Sequence, residues 1–156
     1  GDDLPFMTLD ALQQNISSGM VVAGRHWRRI CQATLAGYGV SEACAIPLLM
    51  IVRLGDGVHQ VTVAQAAGLE SPSLVRLLDQ LCNAGFVCRS SDPVDRRAKA
   101  LSLTPSGRVL AEAIEGELVR LRREVLQGIE EADLLATLRV LRAFETAAQR
   151  TPGVPS

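Results

Sequence analysis

The chain is predicted to be mainly α with a small β-wing: a winged helix-turn-helix carrying N- and C-terminal dimerisation helices. Three observations lead there. Between Thr62 and Gly85, two short helical patterns are separated by Gly68. From Phe86 to Leu103, two β-prone runs bracket a basic loop rich in turn residues. On both sides lie long stripes of apolar residues at three- and four-residue spacing, more than one small winged domain can cover.

The elements follow in order. Leu9, Leu12, Ile16, Met20, Ala23, Trp27, Ile30 and Thr34 mark a long amphipathic helix. Ser41 is placed to cap a second helix carrying Ile46, Leu49, Met50 and Leu54. Pro47 removes an internal hydrogen bond there and is expected to kink or delay it. Thr62 with Gln65 reads as a capping box, and Gly68 as the stop of that third helix. Ser71 as N-cap and Pro72 at the first helical position start the next. Its core face is read as Val75, Leu78, Leu81 and Cys82, which leaves Ser73, Leu74, Arg76, Leu77 and Gln80 outward. Gly85 closes it. Phe86–Arg89 and Ala100–Leu103 read as strands around Ser91–Arg97, and Thr104-Pro105 opens another helix. Its stripe runs from Val109 to Ile129, breaks between Gly128 and Asp133, and resumes from Leu134 to Phe144. The expected organisation is an N-terminal dimerisation helix in 1–40, a winged domain in 41–104, C-terminal dimerisation helices in 105–150 and a frayed tail in 151–156.

Composition narrows the class. A hydrophobic content of 47% in 156 residues argues for a folded chain. No run approaches the roughly 18 apolar residues that span a membrane, and none reads as a secretory signal, so no membrane partner and a cytoplasmic location are expected. Cys31, Cys44, Cys82 and Cys88 form no C-x-x-C pair and read as reduced, mostly buried thiols. The net charge of −1 hides an uneven distribution: Ser71–Arg108 holds six cations against three carboxylates. A basic wing and helix on an acidic body suits phosphate binding.

At four strings the pattern becomes specific. PSLVRLLDQL, the AGFV after it, the DPVDRRAK loop and LTPSG stand in the order and spacing of the MarR family of bacterial transcriptional regulators, which the chain resembles, in particular the SlyA-like branch. The likeness extends upstream to GRHWRR and weakly over the other helices; Cys82 stands where SlyA-like proteins often carry an acid. It implies a homodimer on double-stranded DNA, with the helix from Ser71 in the major groove. Ser71, Ser73, Leu74, Arg76 and Leu77 are then the expected contacts to DNA, with Arg96, Arg97 and Lys99 from the wing. Asp95 and Arg97 resemble the family's D-x-R pair, in which the acid orients the arginine toward the minor groove.

The resemblance also implies an effector, a small aromatic or phenolic anion. Arg25, His26, Trp27 and Arg29 are the candidate ligands, since arginine grips carboxylates and tryptophan offers an apolar wall. Trp27 also fits as a core residue of the first helix, with the arginines at the surface. A thiol-based redox sensor is an alternative, but Cys31 falls late on its helix and Tyr38 is the single tyrosine. A winged module for protein contacts is another. His26 and His59 stand alone in sequence; with no nucleophile elbow, phosphate loop or metal triad, neither a catalytic residue, a metal site nor a cofactor is expected. The leading expectation is a ligand-responsive repressor reading a pseudo-palindromic operator.

Overall fold

The computed structural model describes residues 6–153. The chain divides into two compact units, residues 1–42 and 43–156. The first is dominated by helix α1 (Leu9–Leu35), which Thr8 opens by accepting the Ala11 N–H on its hydroxyl at 3.2 Å. A single 3-10 turn, Ala36–Tyr38, follows it. Cys31 and Leu35 are buried, whereas Leu9, Leu12, Ile16, Val21, Val22 and Ile30 are exposed.

The second unit holds helices α2 (Glu42–Leu54), α3 (Gln60–Ala67), α4 (Ser71–Asn83), α5 (Pro105–Val125) and α6 (Glu131–Arg150). Three strands complete it: β1 (Val58–His59), β2 (Val87–Ser91) and β3 (Lys99–Leu103). They form one antiparallel sheet in the order β1-β3-β2, with Val58 facing Leu101 and Arg89 facing Leu101 from the other side. Leu48, Ile51, Val63, Leu74, Leu78, Leu81, Leu101 and Ile114 are fully buried. One apolar core therefore joins α2, α3, α4, β3 and α5, the arrangement that holds α4 and the wing in place.

Several local expectations need correction. Helix α3 starts at Gln60 with His59 as its cap residue, so Thr62 and Gln65 lie inside it and form no capping box. The cap of α4 is Glu70, one residue before Ser71, and no side chain closes it. Pro47 lies buried within α2, which begins five residues earlier; the proline does not delay the helix. Strand β1 was not foreseen, because two residues are too few to show alternation. The core face of α4 is Leu74, Leu77, Leu78 and Leu81, while Val75 and Cys82 are only half-buried. Among the thiols, Cys31 and Cys44 are buried and Cys88 is exposed.

The start of α5 explains the LTPSG string. Thr104 accepts the Gly107 N–H at 3.0 Å on its hydroxyl, which itself donates to the Gly85 carbonyl at 2.6 Å. The Ser106 hydroxyl donates to the same carbonyl at 3.1 Å, and the Thr104 N–H to that of Phe86 at 3.1 Å. Helix α5 is thereby docked on the turn that ends α4. Gly85 adopts φ +80° in that turn, a conformation glycine reaches without strain. A Cβ on Gly107 would lie 1.9 Å from the Phe86 carbonyl oxygen, so the close approach excludes any side chain.

Candidate nucleic-acid interface

Helix α4 presents Ser71, Ser73, Arg76, Asp79 and Gln80 to solvent. Leu74 and Leu77, expected beside them, are 0% and 6% exposed and belong to the core. Their side chains stabilise the helix from below and are out of reach of any base edge. Arg76 makes no ion pair among the described residues, so its guanidinium fork is available. Gln80 accepts a hydrogen bond from the Cys44 thiol at 3.2 Å, which fixes its amide.

Two cations of the basic segment are already matched by acids. Arg89 on β2 is paired with Asp79 on α4, and its guanidinium also lies 4.0 Å from the Cys82 sulfur. The Asp79 hydrogen bond raises the Arg89 pKa, against the opposing effect of burial. This pair ties α4 to the sheet. Arg108 at the start of α5 pairs with Asp56 at 2.7 Å, and the second Asp56 oxygen accepts the Leu103 N–H at 3.0 Å. The cations left for a polyanion are Arg76 on α4 and Arg96, Arg97 and Lys99 on the wing.

The wing is closed by two aspartates. Asp92 accepts the N–H groups of Val94 at 2.7 Å and Asp95 at 3.0 Å on one oxygen. Its other oxygen meets His59 Nε2 at 2.7 Å. The Asp92 N–H donates to Ala98 at 2.9 Å across the loop. The bonds from His59 first, then from the Asp95 and Val94 N–H groups, hold the Asp92 carboxyl down at about 2. Asp95 accepts the Arg97 backbone N–H at 3.1 Å. Its contact with Arg97 is thus through the main chain. Lys99 reaches Ser91 at 3.5 Å. Sequence reasoning passed over Asp92 and left His59 isolated; their separation of 33 residues hides a contact that only sheet pairing creates.

On α1, Arg25, His26, Arg28 and Arg29 are exposed and Trp27 is half-buried. Within the second unit, α2 and α5 enclose a hollow of about 490 Å³. Leu49, Val52, Ala111 and Val119 form its apolar wall, and Arg53, Arg108, Glu112 and Glu115 its charged rim. Helical spacing shows neither the hollow nor Arg53, because its two walls are about 55 residues apart in sequence.

A family model describing an ArnR1-like winged-helix domain matches residues 39–121. Among solved structures, the chain is similar to the transcriptional regulator PA3341, at 34% identity and a TM-score of 0.79, over 87% of this chain and 99% of that one. It is similar to CouR from Rhodococcus jostii RHA1, solved with p-coumaroyl-CoA, at 25% identity and a TM-score of 0.76, over 85% and 93%. A MarR-family regulator from Rhodococcus sp. RHA1 shares the fold at 24% identity and a TM-score of 0.75, over 85% and 94%. The helix-turn-helix, the wing and the start of α5 all fall within residues 39–121, and a transcriptional regulator matches over nearly its whole length; the chain belongs to the ArnR1-like winged-helix family and has the fold of MarR-family regulators.

Proposed function

We propose that the protein is a sequence-specific, DNA-binding repressor that acts in the cytoplasm as a homodimer. The observation that carries this reading is the clustering of the available cations, Arg76 on the exposed face of α4 and Arg96, Arg97 and Lys99 on the wing. Helix α4 enters the major groove, where Ser71, Ser73 and Arg76 face the bases or the adjoining phosphates. The wing, braced by Asp95 and Asp92, lays Arg97 toward the minor groove and Arg96 and Lys99 along the phosphates. Two copies related by a two-fold axis read half-sites about one helical turn apart. The test is selection of bound genomic fragments followed by sequencing. A recurrent inverted repeat is expected; recovery of fragments with no shared sequence overturns specific recognition.

A ligand-responsive form of this reading is favoured by the hollow between α2 and α5. An apolar wall with Arg53 at its rim suits an aromatic or phenolic anion. CouR was solved with p-coumaroyl-CoA, which is of that aromatic class. Arg25, His26, Trp27 and Arg29 belong to α1 in the first unit, and their part in binding is a separate proposal. Salicylate should release DNA from the wild type and quench Trp27, the single tryptophan. Release undiminished in Arg53→Ala would move the pocket elsewhere. Arg25→Ala tests the first-helix cluster in the same assay.

A further inference from the structure

In the sheet, His59 on β1 faces Ala100 on β3, and Ala100 faces Ser90 on β2. The imidazole therefore crosses the central strand to meet Asp92, two residues beyond Ser90, at 2.7 Å. Asp92 is the residue on which the wing turn closes, through the N–H groups of Val94 and Asp95. A hollow of about 270 Å³ opens beside His59, and Arg97 and Lys99 of the wing line it. The α3 residues on its wall, Gln60, Val61 and Thr62, carry no charge. The charged groups facing His59 are thus one bonded carboxylate and two cations at the hollow.

We propose that His59 is a positioning residue for the wing, and that its protonation clamps Asp92 and tightens the wing's hold on DNA as pH falls. The effect on DNA rests on the DNA-binding reading above. A neutral imidazole can donate one hydrogen bond to Asp92; an imidazolium makes the same bond charge-assisted and stronger. Histidine is the side chain that exchanges these forms between about pH 5 and 8. Arg97 and Lys99 stand beside the ring at the hollow. A DNA phosphate seated there brings negative charge close to the imidazole, so DNA binding and proton uptake at His59 promote one another.

The test compares wild type, His59→Gln and His59→Ala on a fluorescein-labelled random-sequence duplex at low salt, from about pH 5.5 to 8.5. Glutamine keeps a neutral donor and cannot gain the charge. Wild type should bind about fivefold tighter at the acid end, the lower end of the coupling usual between two linked sites. His59→Gln should match the wild type's alkaline affinity with no added slope, and His59→Ala should be weaker throughout. A second readout needs no DNA: the Val94 and Asp95 amide resonances should follow the His59 titration in the wild type and lose that step in His59→Gln. Amides indifferent to His59, or a His59→Gln protein that binds like wild type at every pH, would overturn the proposal. If wild type binds no duplex at any pH, DNA binding fails and with it the proposed effect on DNA; amides that still follow His59 would support the clamp alone.

Discussion

Leu74 and Arg76 are two positions apart on α4 and should fail in different ways. Leu74 is fully buried, so Leu74→Ala should cost about 2–5 kcal/mol of stability, read from its urea midpoint. Arg76 is exposed, and Arg76→Ala should change stability by less than about 0.5 kcal/mol. On a selected operator it should cost about 1–3 kcal/mol of binding and relax sequence preference. Equal weakening on operator and random DNA would make Arg76 a phosphate anchor only. The reason Leu74 was misplaced in sequence is one of phase. The stripes 74-77-78-81 and 75-78-81-82 share Leu78 and Leu81, and periodicity separates them by a single residue. The leucines win because they bury more apolar area than a valine and a cysteine. Gly107 makes a cleaner case, since LTPSG was read as a helix start and the start is there. The string does not show that the glycine is required by contact. With backbone 1.9 Å from the site of a Cβ, Gly107→Ala should destabilise by at least about 1–3 kcal/mol. A thermal midpoint within a degree or so of wild type would mean that α5 can shift freely off Phe86.

Among the elements, the long helices and the wing strands were legible and the wing's internal bracing was not. Thr104-Pro105 and the stripes at three- and four-residue spacing are local signals, and helices α1 and α5 begin at Leu9 and Pro105 as those signals require. Bonds such as His59–Asp92 depend on strand pairing across a sheet, which local pattern does not encode. That bracing has a pH signature of its own on the acid side. The folded Asp92 carboxyl lies at about 2, below the unfolded aspartate value of about 3.9. A depressed acid contributes stability above its unfolded value and loses it as pH falls through the folded one. The wing turn should therefore stay closed down to about pH 4 and open between there and about 2. Asp92→Asn should remove this acid step. Chemical shifts of the Val94 and Asp95 amides measure it, and an acid step persisting unchanged in the variant would place its origin in another carboxyl.

For the whole molecule, the outstanding physical problem is apolar surface. Helix α6 buries none of its residues, yet Leu135, Leu138, Leu141 and Phe144 recur every three positions at 41–50% exposure. Val125, Leu126 and Ile129 continue the same character before it, and Leu9, Leu12 and Ile16 repeat it on α1. No single helix among the described residues is long and apolar enough to cross a membrane. In the homodimer proposed above, an isologous two-fold interface would cover such stripes on both copies at once. Such an interface should be of obligate size, and monomer folding and association should then be one transition. The prediction is that Leu138→Glu with Leu141→Glu halves the mass seen by sedimentation or drives aggregation, and in either case abolishes operator binding. Leaving Arg76 and the wing cations untouched keeps the local DNA contacts intact, so the loss reports on the pairing of half-sites. Removal of everything after Glu131 should act in the same direction. A soluble monomer from either change that still binds the operator with wild-type affinity would break the link between the helical flanks and DNA recognition. The apolar stripes would then need a different partner.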